Sequence, residues 1–585
     1  MTIRNKENIM IITKNELRSK IFHLLQAWCD ELIHLHISMP GNTDFDGAIL
    51  CPACKVIHGR CHDAIYPMMY MADATGDQKY LDAAKKLFRW GENMLCDDGG
   101  LYNDAQSTWS GITVFNAVSL CDALKKHGHL LDAQTKREWE ARLLRMGDWL
   151  FKNLRLGMRT NINYFATNCN AMALLGNYFD RDDYRQLAHE LAHHCMKHLS
   201  ENGLLFGEGQ PNDAVSEKGC TAIDMGGYNV EESLPSLCRY AMESGDKEAF
   251  NVFVDSYRAH LEFMLPDGAW DNSIGTRAFK WTYWGSRTSD GCQEVLFHLG
   301  KQDPVFAEAA LRNLDLYEKC THNGLLFGGR DYYAHGEHAC SHHTFCHAKV
   351  LAGALDEGFE DLERMPLPSD NFSGLKYYSE IDSYRVGVGD WRANVTAYDF
   401  NYMTGGHASG GALNLLWNRK VGPIIAVGAV DYSMHEIHNQ QLSLKKAEHR
   451  SVCPRVELVK NGVRYANHYD FRASMNAEER NDSVIIRANA VLCDNHNAPI
   501  PENYACTLTY TFAKDCVRIH GKLDAAIADQ AVYYLPIVQD SAAVTVETGA
   551  LLSHGKSFNL NPGFICTEYK IAANEQGEFV LTLSV

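Results

Sequence analysis

The chain has little positive charge for its size. Its 585 residues carry 55 lysines and arginines against 73 acidic side chains, a formal net charge of -18, and no basic tract. Nucleic acid and anionic membrane are therefore disfavoured partners, because both need a concentrated positive surface. An acidic sugar is not excluded, since a few Arg, His and Asn side chains set the field inside a pocket. Long hydrophobic runs are also missing. The segment Met1 to Lys6 leads only to a short apolar patch, Ile9 to Ile12, too short for the apolar core of a signal peptide, and no run approaches a membrane span. The expectation is a cytoplasmic protein, or a periplasmic one if a signal has been removed upstream of this start. There is no phosphate loop, dinucleotide fingerprint or Gly-x-Ser-x-Gly elbow, which removes the common nucleotide and serine-hydrolase readings. Cysteine is abundant, but the odd count of 19 lacks the spacing of a disulfide scaffold. Cys238, Cys292 and Cys346 fall within apparent helices and strands, which favours reduced, buried thiols.

What is present divides the chain in two. With 46% hydrophobic residues, a chain of this length can bury a large core in roughly two to four domains. The first part repeats a helix hairpin: Met68 to Phe88 turns at Thr75-Gly76-Asp77, Tyr240 to Phe253 at Ser244-Gly245-Asp246, Leu299 to Ala309 at Lys301-Gln302-Asp303, and Tyr178 to Ala188 at Asp182-Asp183. The Asp after each turn is a candidate N-cap. The segment Asn202 to Gly207 recurs letter for letter as Asn323 to Gly328, which implies equivalent places in a cyclic or superhelical array. About a dozen apolar-periodic segments between Thr13 and Leu355 suit an (α/α)6 toroid spanning residues 1–360. An open solenoid is the alternative, though loops rich in Trp, Tyr, Gly and His argue against it. Asp356 to Gly374 reads as a linker. Beyond it the period becomes two, as in Ser483 to Val491, Thr507 to Phe512, Val532 to Val538 and Phe579 to Val585, so residues 375–585 read as an antiparallel β-sandwich.

Near this change of period lies Gly405-Gly406-His407-Ala408-Ser409-Gly410-Gly411, followed by the strand-like run Ala412 to Trp417. A histidine on a glycine-rich turn can stand clear of its own backbone and face a site between two domains. The pattern resembles the start of the C-terminal β-domain of heparinase II/III-like polysaccharide lyases. That resemblance implies an N-terminal helical toroid whose cleft faces the histidine and cleaves uronic-acid glycans by β-elimination. The chemistry needs a group to neutralise the uronate, a base for the C5 proton and an acid for the leaving oxygen.

Further segments extend the resemblance. Thr160 to Ala171 places several amides at the start of an apolar helix, and Asn168 is the match to the family's carboxylate-neutralising amide, without the adjoining His. Helix capping is the other reading of these amides. Asp224-Met-Gly-Gly-Tyr228-Asn-Val-Glu231-Glu232-Ser233 resembles the family segment that ends in a catalytic Tyr, but Leu234 to Leu237 stand where that Tyr belongs. Tyr228 or Tyr283 is the candidate replacement, or the reaction is not elimination. Glu231 and Glu232 are then either site carboxylates or charges compensating a helix dipole. Trp270, Arg277, Trp281, Tyr283, Trp284 and Arg287 share one polar, aromatic loop. Aromatic platforms that stack on sugars and Arg forks that grip carboxylates are expected there, with a structural cap over the toroid as the alternative. Arg385 fits the Arg that the family carries on an early β-domain strand.

Two clusters carry metal-binding residue types. Cys51, Cys54, His58 and Cys61 are spaced Cys-x2-Cys-x3-His-x2-Cys, all types that zinc accepts, although His58 and Arg60 facing a uronate is the preferred reading. His335, His338, His342, His343 and His347 form the second, with sugar recognition by His342 and His343 as the competing role. A structural zinc is thus conceivable and no cofactor is required. Family members often hold zinc in the β-domain through an Asp soon after the glycine-flanked His, where this chain has Ser409 and Gly410. The reading is a lyase acting on an acidic oligo- or polysaccharide, with His407 and Tyr283 moving protons, Asn168 with Arg277 or His58 at the carboxylate, and a homo-oligomer possible. Its rivals are a glycoside hydrolase pairing Glu231 or Glu232 with Asp224 or Asp271, and a non-catalytic glycan-binding protein.

Overall fold

The computed structural model describes residues 10–103, 109–430 and 452–585. The helices of its first half are α1 (Lys14–His34), α2 (Ile65–Thr75), α3 (Gln78–Trp90), α4 (Thr113–His127), α5 (Ala133–Asn153), α6 (Ile162–Tyr178), α7 (Asp182–Cys195), α8 (Leu234–Ser244), α9 (Lys247–His260), α10 (Gln293–Gly300), α11 (Pro304–Lys319), the single turn α12 (Tyr332–His335) and α13 (Ser341–Glu357). Apart from α12 these are twelve helices, paired antiparallel as inner and outer members. The inner ones, α2, α4, α6, α8, α10 and α13, touch in ring order, and α13 closes the circle against α2. The array is a closed toroid rather than an open solenoid. Inner helices are buried nearly all round, as along α13 from Ser341 to Leu355, because neighbouring helices flank them. Outer helices bury one stripe, such as Tyr80, Leu81, Ala84, Leu87 and Phe88 of α3.

Turn chemistry places the hairpins. Asp77, Asp246 and Asp303 cap α3, α9 and α11, each carboxylate accepting a backbone N–H of the first turn. The fourth hairpin differs: Arg181 is the N-cap of α7, and Asp182 and Asp183 occupy its first turn, where they face the positive helix end. The repeated Asn-Gly-Leu-Leu-Phe-Gly loops follow the outer helices α7 and α11. Each is closed by a small antiparallel bridge, Leu199 with Leu205 and Thr321 with Leu326. They are equivalent positions two hairpins apart on the ring.

The segment 356–374 is more ordered than a bare linker. Leu362–Arg364 pairs with Met10–Ile12, and Asp370 accepts both arms of the Arg312 guanidinium at 2.8 and 2.9 Å. Beyond it the β-half comprises three antiparallel sheets. Gly374–Tyr378, Ser383–Val388, Trp391–Thr396, Ala412–Asn418 and Gly422–Ala426 run as a five-stranded meander, and a five-stranded and a six-stranded sheet follow. Strands at Ser483–Val491 and Val532–Val538 coincide with the alternating segments of the sequence. The meander is the middle layer. Every residue of Ala412–Asn418 is buried, with Leu415 and Trp417 in the core shared with the toroid and Leu413 and Leu416 in the core of the β-half. The two halves thus meet through packed side chains, which positions the β-domain loops against the toroid.

Candidate active site

Residues Met225–Ser233 wind as a π-helix that feeds directly into α8. Pro235 near the start of α8 cannot donate a backbone hydrogen bond to the turn before it, and the Glu231 carbonyl is taken instead by Gly291 N–H at 3.0 Å. The wide turn carries Tyr228 inward. Its hydroxyl accepts from Lys280 Nζ at 2.8 Å and shares a 2.8 Å hydrogen bond with Thr288 Oγ1. The Arg277 guanidinium lies 3.6 Å from the ring centroid and is itself paired with Glu208 and, at 3.7 Å, with Asp224. Tyr402 of the β-half stands 5.2 Å from the same guanidinium, and its hydroxyl accepts from Asn161 Nδ2 at 3.0 Å. The cluster therefore lies at the seam between the two halves. Burial raises the Tyr228 phenol above its ordinary value, while Lys280 and Arg277 pull it down. Burial also pushes Glu208 up to about 7, with Arg277 opposing.

Beside this cluster α6 opens with Asn163 and Tyr164. Asn163 Nδ2 donates to Glu232 Oε1 at 2.6 Å, and Glu232 Oε2 has no protein partner. Burial, with the Asp290 charge adding to it, raises Glu232 to about 8. Tyr164 accepts from Trp109 Nε1 at 2.9 Å, and Trp109 is 47% exposed. Aromatic rings thus run from exposed Trp109 through half-buried Tyr164 toward buried Tyr228. The raised Glu232 has a measurable consequence for stability. The folded state keeps its proton up to about pH 8 and the unfolded chain releases it near 4.5, so stability falls as pH rises through this window. Glu232→Gln keeps the acceptor for Asn163 and removes the ionisation. Unfolding midpoints of the two proteins should agree near pH 4 and diverge in favour of the variant by pH 8; parallel curves would refute the assignment.

The aromatic loop is the structural cap, not a sugar platform. Trp270, Trp281 and Trp284 are completely buried. Trp281 Nε1 donates to Trp270 O at 2.6 Å and Trp284 Nε1 to Phe327 O at 2.9 Å. Tyr283, at a left-handed φ of 70°, donates to Asp267 at 2.6 Å and packs edge-on against Phe564, so it ties the toroid to the β-half. Arg287 bonds Tyr332 Oη and Leu560 O rather than an open site. Asn168 lies well inside α6 and donates to Leu154 O at 2.6 Å; Asn163, in the first turn, occupies the helix-opening place expected for it. Glu231 is spoken for by Ser286 N–H at 2.7 Å and Tyr317 Oη at 2.9 Å. Arg385 packs over Phe263 and Phe372. Arg60 is buried between Asp63 and Asp290 and donates to Thr288 O at 2.8 Å, so it supports the residue whose hydroxyl meets Tyr228. His342 stacks on His58, and His343 packs against Trp284.

His407 is at the seam but turned inward. Its Nε2 bonds Tyr398 O at 3.2 Å, its ring stacks on Phe471, and burial lowers it to about 4, leaving a neutral imidazole. The flanking glycines serve close approach: at Gly410 (φ 65°) a Cβ would strike Asn467 O, and at Gly411 (φ 70°) the Ala488 side chain. Next to it, a Cβ on Gly406 would come within 3.2 Å of Thr276 O, so the turn abuts the loop that carries Arg277. Among the described residues His407 joins no group of three or more His, Cys, Asp or Glu side chains, and Ser409 instead bonds Asp470 O. The donor set for the β-domain zinc that the resemblance implies does not fit here. Lys280, Tyr164, Trp109, Asn163, Glu208 and Tyr402 carried no motif of their own; only the helix-opening position of Asn163 and the aromatic neighbours of Lys280 pointed to them.

Comparison with known proteins places the chain in a family. The sequence matches the ulvan lyase N-terminal domain over residues 25–368 and the ulvan lyase C-terminal domain over residues 375–551. A broad-specificity ulvan lyase of Formosa agariphila is 37% identical over 534 residues, 89% of this chain and 83% of its own. Among solved structures, the chondroitin AC lyase of Streptomyces coelicolor A3 shares the fold with a TM-score of 0.54 at 12% identity, over 100% of this chain and 80% of that one. A Paenibacillus xanthan lyase does so with a TM-score of 0.52 at 9% identity, over 98% and 57%. The hydrolase and binding-only alternatives give way, in keeping with the heparinase II/III-like resemblance, and the chain belongs to the ulvan lyase family of polysaccharide lyases.

Proposed function

We propose that the protein cleaves ulvan, or a closely similar uronic-acid-containing polysaccharide, by β-elimination at the seam around Tyr228. One observation carries this reading: a tyrosine hydroxyl held between an ammonium and a threonine hydroxyl, with a guanidinium over its ring. Burial raises the phenol on balance, and the two cations oppose it by stabilising the phenolate, the form that acts as the base. Its oxygen takes the C5 proton, the electron pair forms the C4–C5 double bond, and the C4–O bond breaks. The departing oxygen is protonated by the same tyrosine, which restores the phenolate. Protonated Glu232 and the Asn163 amide supply donors for the uronate carboxylate, taking over from Asn168. Such donors matter because neutralising the carboxylate is what makes the C5 proton acidic. Exposed Trp109 and half-buried Tyr164 offer the stacking surface that the buried tryptophans do not. His407 becomes a positioning residue, holding Tyr398, whose hydroxyl docks on Thr221 O at 2.6 Å.

The test is the product. With ulvan and a panel of uronate glycans in oxygen-18 water, elimination yields a conjugated, ultraviolet-absorbing double bond and no label at the new reducing end. Label at that end with no new absorbance would end the reading.

A further inference from the structure

The sequence grouped Cys51, Cys54 and His58 with Cys61, but the fold exchanges the last member. Cys61 points away into the toroid core, and Cys340, 289 residues from Cys51, takes its place. Cys51 Sγ and Cys340 Sγ are 3.6 Å apart, Cys54 Sγ and Cys340 Sγ 3.6 Å, and Cys340 Sγ and His58 Nε2 3.6 Å. All four donor atoms lie within 4.8 Å of one another. These separations are far longer than a disulfide bond, about 2.05 Å. They match the edges of a tetrahedron around zinc, which for Zn–S near 2.3 Å and Zn–N near 2.0–2.1 Å come to about 3.5–3.8 Å. The loop is shaped for it as well. Cys54 N–H points at Cys51 Sγ at 3.3 Å, a donor that stabilises a thiolate, and Lys55 takes a left-handed φ of 58°, which turns the chain between Cys54 and His58.

We propose that Cys51, Cys54, His58 and Cys340 bind one structural zinc ion. Four protein donors leave no open position, so the ion supplies no chemistry to the substrate. Its place in the ring explains its use. Cys340 is the N-cap of α13, the last inner helix, and the Cys51–His58 loop leads into α2, the first. The ion ties the start of α13, the last inner helix, to the connection that runs from its outer mate α1 into α2, and so pins the place where the end of the ring meets its beginning. His58 also precedes Arg60, so closing the seam fixes the residue that holds Thr288 O. Zinc fits three thiolates and an imidazole without redox cycling.

Metal analysis of the purified full-length protein tests this directly. About one zinc per chain is expected. It should be lost in Cys340→Ser and retained in Cys61→Ser, which removes a buried thiol outside the cluster. Thermal unfolding of the wild type should shift downward after chelation and recover when zinc is restored. Should Cys340→Ser fail to fold, cobalt exchanged into the wild-type protein gives the answer: intense sulfur-to-metal charge-transfer bands with tetrahedral visible bands report thiolate ligation. Protein grown with ample zinc that carries none and takes up neither metal would overturn the proposal. So would zinc that stays in Cys340→Ser, or cobalt without thiolate bands.

Discussion

Tyr228→Phe should lower kcat by about 10²–10⁴-fold with KM little changed, the loss typical of a positioned proton-transfer group. The substitution removes one oxygen and keeps the ring under Arg277. Lys280 and Thr288 lose a buried partner, so stability should drop by about 1–3 kcal/mol, too little to unfold the chain and separable from the activity loss by a melting curve. A structural role alone would move the melting curve without a selective fall in kcat. The pH profile adds a second readout. Burial raises the Tyr228 phenol and Lys280 opposes it, so Lys280→Met should move the alkaline-rising limb of kcat/KM to higher pH, whereas Thr288→Ala should leave that limb almost where it is. His407→Ala should cost less than Tyr228→Phe, because its ring serves Tyr398 and Phe471 rather than the proton path. A Tyr228→Phe enzyme with near-normal kcat would remove Tyr228 from the reaction.

Trp284→Ala should destabilise the protein by about 3–5 kcal/mol, the range for emptying a fully buried aromatic site. The indole packs edge-on against Tyr317 and against His347 at 4.6 Å, and its N–H satisfies Phe327 O, so truncation leaves both a cavity and an orphaned carbonyl. Denaturant unfolding followed by tryptophan-independent circular dichroism measures the shift. Trp109→Ala is the comparison. Trp109 is exposed, so its loss should change stability by less than about 1 kcal/mol and instead raise KM. A Trp284→Ala protein of normal stability and weakened substrate binding would restore the sugar-platform reading that its burial overturns.

Both outcomes turn on a difference between what residue type suggests and where the fold puts the residue. Trp270, Trp281 and Trp284 have the chemistry to stack on sugars, and nothing in their local sequence says that three successive indoles will turn into the toroid wall. Tyr228 was one of two candidates for the missing tyrosine. Only the π-helical turn of Met225–Ser233, with Pro235 behind it, aims its hydroxyl at Lys280, whereas Tyr283 is committed to Asp267. The glycines around His407 were legible as a special turn, but they permit contact with Asn467 and Ala488 instead of lifting the imidazole into a cleft. The zinc cluster shows the same limit. Cys51, Cys54 and His58 are local and visible by spacing, and their fourth partner lies 289 residues away.

The amino-acid sequence by itself determined the two-part architecture. Hydrophobic periodicity, turn residues and the repeated loop act over a few residues, and each specifies its own helix hairpin or strand wherever it occurs. Three of the four hairpin Asp caps and the strands Ser483–Val491 and Val532–Val538 were readable on that ground. Tertiary structure alone decided which polar groups meet. Closing the ring brings Cys340 to Cys51, and docking the middle sheet on the toroid brings Tyr402 to Arg277 and the His407 turn to Thr276. Those encounters depend on the summed packing of residues more than a hundred positions apart, which no local pattern encodes.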